Sequence, residues 1–161
     1  MVRSDSTEVF RVGAIPLVAI RTWTNRVNLG STVQQLCGKA WEGVKKHPEV
    51  QKPGALMVAV YCPDPTTNPS TAKGLEVAVG VEVSGSFDTD GELAYFETPA
   101  GEVAHITHLG PYSKLGAAHE AVQEWAKDKG RTFSGQSWEV YGHWTEDEAN
   151  LQTDIYYLLK E

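Results

Sequence analysis

The stretch Trp138-Glu139-Val140-Tyr141 sets one acidic residue among aromatic neighbours. As a β-strand it places Trp138 and Val140 on one face and Glu139 with Tyr141 on the other. If the apolar pair faces helices, Glu139 and Tyr141 face a cleft. A carboxylate held among rings attracts an organic cation by charge and by the ring quadrupoles, each cation–ring contact contributing roughly 0.5–2 kcal/mol. The residue pattern alone leaves a second possibility open, in which Glu139 is a solvated strand residue paired with a Lys or Arg. Aromatic candidates to line such a site are Trp23, Tyr61, Phe96, Tyr112, Tyr141, Trp144, Tyr156 and Tyr157. About half of these should be packing residues without ligand contact. Tyr112 stands out because Gly110-Pro111-Tyr112 is a turn between a strand and a helix, a position that commonly overlooks a cleft.

Other chemistry is thinly represented. His105 and His108 are three apart in a strand and point to opposite faces, a poor arrangement for ligands of one metal. His119 lies on the apolar side of a helix beside Glu120, without the second histidine of a helical zinc motif. No metal site and no cofactor are expected. Nucleophile elbow, phosphate-cradling glycine loop and dinucleotide fingerprint are all missing from the sequence. Cys37 and Cys62 have neither metal nor redox spacing and read as buried reduced thiols.

The chain has 161 residues, 41% hydrophobic and 22% charged, with a formal net charge of -7. That suits one domain over residues 1–161 with a single well-buried core. An acidic balance without a basic cluster repels phosphate backbones, so nucleic acid is not an expected partner, and neutral or cationic ligands are favoured. No apolar run is long enough for a bilayer, and Met1 to Asp5 is polar rather than signal-like. A cytoplasmic protein without membrane association is expected.

The elements that must position these side chains follow from periodicity. Ser31 to His47 reads as a helix with Val33, Leu36, Ala40, Trp41 and Val44 on one face, Ser31 and Gln34 as a capping box, and Pro48 ending it. Ser113 to Lys129 reads likewise, with Leu115, Ala118, Val122, Trp125 and Ala126 inward and Gly130 as the left-handed stop. Trp41 and Trp125 are thus assigned to the core. Strands are expected at Phe10 to Arg21, Leu56 to Tyr61, Glu76 to Val83, Leu93 to Glu97, Val103 to His108, Trp138 to Tyr141 and Asp154 to Leu159. Val77, Val79, Val81 and Val83 alternate as in a sheet with one covered face. Pro63 to Pro69 is a loop, and Gly142 to Leu151, with Glu146, Asp147 and Glu148, reads as a solvated loop in preference to a lid.

Two similar halves emerge, about residues 9–83 and 93–160, each strand, helix, strand, strand. Side by side they make an α+β domain: a curved, mainly antiparallel sheet, both helices on one face, and a central cleft, where small-molecule sites usually lie. In this comparison Ala59 of the first half corresponds to Glu139 of the second.

The series Val103-Ala104-His105-Ile106-Thr107-His108-Leu109-Gly110-Pro111-Tyr112, the Trp125 helix, Trp138-Glu139-Val140-Tyr141 and Thr153-Asp154-Ile155-Tyr156 resembles the second half of the GyrI-like family, the effector-binding domain of bacterial transcription activators. Residues 9–83 match it more loosely. The resemblance implies a duplicated strand-helix-strand-strand (SHS2-type) fold with a central ligand cleft, and a role for Glu139 like that of the buried Glu with which multidrug-sensing members bind lipophilic cations. Sheet sequence begins by about Phe10, so a stand-alone member without a DNA-binding domain is expected. Such members differ in function, and fold does not choose among them. The leading reading is a binding protein for hydrophobic, aromatic or cationic small molecules. A hydrolase of cyclopropane-bearing, DNA-alkylating natural products is the chief alternative; there Glu139 would orient or deprotonate water while Tyr112 or Tyr141 hydrogen-bonds the ligand carbonyl. A protein-binding inhibitor, with gyrase the family-suggested partner, is the third. Pairing into a homodimer stays open. Tyr156-Tyr157-Leu158 departs from the proline that many relatives carry there.

Overall fold

The computed structural model describes residues 7–24, 28–63, 75–143 and 145–160. Met1 to Asp5, residues 64–69 of the expected loop, and Trp144 lie outside the described residues. The chain divides into two compact units, Ala14–Thr98 and Met1–Gly13 with Pro99–Glu161.

The strand expected from Phe10 to Arg21 is two strands, β1 (Glu8–Val12) and β2 (Pro16–Thr24). Gly13-Ala14-Ile15 separates them, and Pro16, without an amide hydrogen, opens the second. Ile15 donates its amide to Thr98 Oγ1 at 2.8 Å and accepts from the Thr98 amide at 3.0 Å.

In the unit Ala14–Thr98, β2 is followed by α1 (Leu29–Lys45), β3 (Met57–Pro63), β4 (Leu75–Glu82) and β5 (Ala94–Glu97). The order is β3-β4-β2-β5, all antiparallel. α1 lies on β4 and β2. Leu36, Ala40 and Val44, each four apart, are its buried stripe. Trp41 does not belong to the core: it is 45% exposed, with the Lys45 ammonium 5.7 Å from its ring centroid. One residue past Ala40 is a 100° turn of the helix, enough to carry an indole off the covered stripe. The capping box does not form either. The helix starts two residues early, so Ser31 sits inside the first turn and its hydroxyl donates to the Asn28 carbonyl at 3.0 Å. On β4, which has a strand neighbour on each side, Ala78 and Gly80 are as buried as the valines between them.

The other unit joins β1 to β6 (Gly101–Leu109), α2 (Leu115–Lys129), β7 (Phe133–Tyr141) and β8 (Gln152–Leu159), ordered β1-β6-β8-β7 and antiparallel. α2 rests on β6 and β8, with Ala118, Ala121 and Val122 against Ala104, Ile106, Ile155 and Leu159. Trp125 packs against this cluster, half-buried. A 3-10 turn at Tyr112–Lys114 takes up the residues expected to begin the helix. Gly130 ends it at φ 67, as its sequence position demands.

The fold is therefore α+β, two antiparallel strand-helix-strand-strand repeats. In each, a further strand (β5 or β1) is added beside the repeat's first strand. Among the described residues no helix is long and apolar enough to cross a membrane.

Gly80 pairs with Ala19, and a Cβ there would come within 2.4 Å of the Val18 carbonyl oxygen and 2.7 Å of Ala19 Cβ. Gly80→Ala should lower stability by about 1–3 kcal/mol through overpacking. Gly38→Ala, on the exposed side of α1 with nothing near the added methyl, should raise it by about 0.5–1 kcal/mol. Urea midpoints of the two variants, moving in opposite directions, check both.

Candidate functional site

Glu139 of β7 stands opposite Ile155 of β8, which is part of the core beneath α2. Glu139 and Tyr141 thus lie on the face that α2 covers. Trp138 lies on the opposite face, its ring stacked on Tyr156 at 5.4 Å and 12°. The faces are assigned the other way from an arrangement with the apolar pair under the helix. Small residues on α2 pack against Ala104, Ile106 and Ile155, and that docking sets which set of β7 side chains is covered.

Glu139 is 4% exposed, so it is not a solvated strand residue. Its Oε2 accepts from His119 Nε2 at 2.6 Å and its Oε1 from the Tyr141 hydroxyl at 2.5 Å. An ionised carboxylate only accepts, so His119 carries its hydrogen on Nε2. Nδ1 is then the acceptor for the Tyr157 hydroxyl at 2.6 Å, and Gln123 Nε2 donates to that hydroxyl oxygen at 3.4 Å. Every link in Gln123–Tyr157–His119–Glu139 has one donor and one acceptor, so each residue orients the next. His119 and Gln123 reach the same tyrosine because four residues along a helix bring side chains to one face.

Aromatic rings extend the cluster outward from the carboxylate's two partners. Tyr112 meets Tyr141 edge-on at 5.7 Å and 72°, His119 meets Tyr157 at 5.6 Å and 74°, and Phe133 lies 4.7 Å from Tyr157. Tyr112 is 42% exposed and the His119 side chain 22%, so the cluster has a solvent-facing side. The chemistry available is an oriented anionic pole bordered by π-faces, with a tyrosine hydroxyl and an imidazole able to carry protons.

The structure brings Glu139, Tyr141, Tyr112 and Tyr157 together. It adds His119 and Gln123, which sequence reasoning did not place at the site. Their signal was two polar side chains four apart on a helix flank next to an Ala and Val stripe. Tyr156 is on the other face of the same sheet, 4.8 Å from His105, with Phe10 5.4 Å from His105. Trp23, Tyr61 and Phe96 belong to the unit Ala14–Thr98. There Trp23 is 47% exposed and Phe96 carries the Arg21 guanidinium 5.3 Å from its ring centroid. His105 and His108 point to opposite faces: His105 donates to Asp154 at 2.9 Å, while His108, 4% exposed, donates through Nε2 to the Pro111 carbonyl at 3.1 Å. No group of His, Cys, Asp and Glu among the described residues is arranged to hold a metal ion. Cys37 and Cys62 form no disulfide and are half-buried rather than buried. Glu146, Asp147 and Glu148 are exposed, and Asp147 caps its own short turn by accepting from the Ala149 amide at 3.1 Å.

The family model described as the GyrI-like small molecule binding domain matches residues 8–160. Among solved structures, the chain is similar to the EcmrR C-terminal domain at TM-score 0.72 and 18% identity, covering 96% of this chain and 97% of that one. In the EcmrR–DNA complex the TM-score is 0.78, and this chain spans 57% of that longer one. SAV2435 bound to tetraphenylphosphonium gives 0.66 at 13% identity, covering 96% and 93%. A hydrolase encoded by lin2189 from Listeria innocua gives 0.59 at 10% identity, covering 96% and 92%. At these identities the likeness is one of fold. No curated protein matches the sequence.

Behind the site sheet, hydrogen bonds from His105, Thr107 and Gln152 hold the Asp154 carboxyl below its ordinary 3.8, with His105 the main cause. A folded-state pKa below the unfolded one gives stability that is present above 3.8 and lost as pH falls through the depressed value. Wild-type melting temperature should therefore fall more steeply on acidification below 3.8 than that of Asp154→Asn. Parallel melting curves for the two proteins would show that Asp154 carries no such linkage.

Proposed function

This chain belongs to the family of GyrI-like small molecule binding domains, and from that premise we propose that it binds hydrophobic, aromatic organic cations with Glu139 as the recognition group. The observation that carries the reading is the Glu139 carboxylate, 4% exposed, bonded to His119 and Tyr141 and bordered by Tyr112. A cation seated against these rings exchanges water for π-faces and a nearby negative charge. At about 6 Å and an effective dielectric near 20, that charge contributes roughly 3 kcal/mol, about a hundredfold in affinity. His119 and Tyr157 act as positioning residues, since they hold the carboxylate rather than meet the ligand. The likeness of fold to SAV2435 in complex with tetraphenylphosphonium supports the ligand class. Cytoplasmic residence belongs to the same reading.

A second reading is hydrolysis of cyclopropane-bearing electrophiles in the same site, with Glu139 activating water and Tyr112 hydrogen-bonding the ligand carbonyl. The linked Tyr141–Glu139–His119 bonds favour it, because they offer a base and proton carriers in one cluster.

The test is titration calorimetry with tetraphenylphosphonium and with neutral triphenylphosphine oxide. Glu139→Gln should lose about tenfold to a hundredfold in affinity for the cation and little for the oxide. Equal loss for both, or no cation binding by the wild type, overturns the reading. Conversion of a cyclopropane substrate to its water adduct by the wild type but not by Glu139→Gln, followed by mass spectrometry, would establish the hydrolase instead.

A further inference from the structure

Tyr141, Thr153 and His108 form one row across β7, β8 and β6, since Thr153 pairs with Tyr141 on one side and His108 on the other. Strand alternation puts this row on the face of Glu139 and Ile155, directly beside the carboxylate cluster. Two atoms in the row are anomalous. Among the described residues Thr153, 0% exposed, has no hydrogen-bond partner for Oγ1, and His108, 4% exposed, has none for Nδ1. Buried polar atoms are otherwise almost always paired, because leaving one unpaired costs its full desolvation. Two such atoms on cross-strand neighbours, whose Cβ atoms stand about 5 Å apart, are a matched defect.

Their chemistry defines what would satisfy them. The Pro111 carbonyl accepts from His108 Nε2 at 3.1 Å, so Nε2 bears the hydrogen and Nδ1 presents a lone pair. The Thr153 hydroxyl is able to donate. A hydroxyl meets both, donating to Nδ1 and accepting from the threonine; a carbonyl leaves Nδ1 unmet, and an ammonium could donate to both only by burying a full charge. The turn Pro111-Tyr112 adjoins the row, its Pro111 carbonyl bonded to His108 and its Tyr112 ring against Tyr141, and Tyr112 is 42% exposed. Turning an exposed side chain is a fast motion that leaves the sheet intact.

We propose that His108 Nδ1 and Thr153 Oγ1 are a hydroxyl-reading subsite beside Glu139, reached when Tyr112 turns aside, and that the ligand is a hydroxylated aromatic cation. This rests on the binding function proposed above and names its ligand class. The phenol hydrogen goes to His108 Nδ1, and the phenol oxygen accepts from Thr153. Tyr112 covers the subsite, and the Glu139 cluster receives the charge.

A matched pair of probes tests it: tetraphenylphosphonium and (4-hydroxyphenyl)triphenylphosphonium, titrated against the full chain. The wild type should bind the hydroxylated probe about tenfold more tightly, as two buried hydrogen bonds allow. Thr153→Val and His108→Gln, the latter able to keep the bond to Pro111, should bring that ratio to about one without changing affinity for the plain cation. Thr153→Ser should keep the preference. Without ligand, Thr153→Val should melt above the wild type, since it removes an unpaired buried hydroxyl. Equal affinity for the two probes in the wild type, an unchanged ratio in Thr153→Val, or a lower melting temperature for that variant overturns the subsite while leaving the cation reading intact. Binding of neither probe overturns both.

Discussion

The constraint on which this molecule turns is a carboxylate taken out of water. A side chain 4% exposed keeps its charge only if the fold supplies donors. Here α2 delivers one through His119 and β7 delivers another through Tyr141, two residues along the same strand. Neither donor is independent of the rest. His119 holds the required tautomer because Tyr157 donates to its other nitrogen, and Tyr157 is steadied by Gln123 and by Phe133. Small residues, Ala118 and Val122, let the helix approach closely enough for a 2.6 Å contact across the layer.

The sheet of this unit uses its two faces differently. Beneath α2 the side chains pass from an apolar cluster of Ala104, Ile106 and Ile155 to the polar group around Glu139, within a few residues along β7 and β8. The reverse face carries Trp138 stacked on Tyr156, with His105 bonded to Asp154 and Phe10 from the edge strand beside them. The first repeat shows what the same architecture does without a buried carboxylate. Ala59 on β3 is opposite Val79, both fully buried, where β7 has Glu139 opposite Ile155. One repeat completes its core at this position and the other stops short of completing it.

Much of this was legible in the residues. The valine alternation of β4, the apolar steps of four along α1, Gly130 at the end of α2 and the strand-helix-strand-strand order all arise from local preferences acting over a few residues. Trp138-Glu139-Val140-Tyr141 announced that one face would hold a carboxylate and a tyrosine. Where local signals misled, longer-range packing prevailed. Trp41 looked like core because indoles usually are, yet the stripe of α1 is one narrow row, Leu36, Ala40 and Val44, and Trp41 lies off it. Phe10 to Arg21 looked continuous because both parts are strand formers; that they pair with different strands, β6 and β4, depends on residues more than fifty positions away.

The sequence alone determined the α+β class, the duplicated order and the family, since each follows from periodicity, turn chemistry or an ordered set of motifs. Only the tertiary structure decided which face of β7 is covered, which histidine meets the carboxylate, and that His108 Nδ1 and Thr153 Oγ1 have no partner among the described residues. Alternation states that a strand has two faces and is silent on which of them a helix docks against. That choice is made by the fit of α2 on β6 and β8, an interaction between segments that no local pattern encodes.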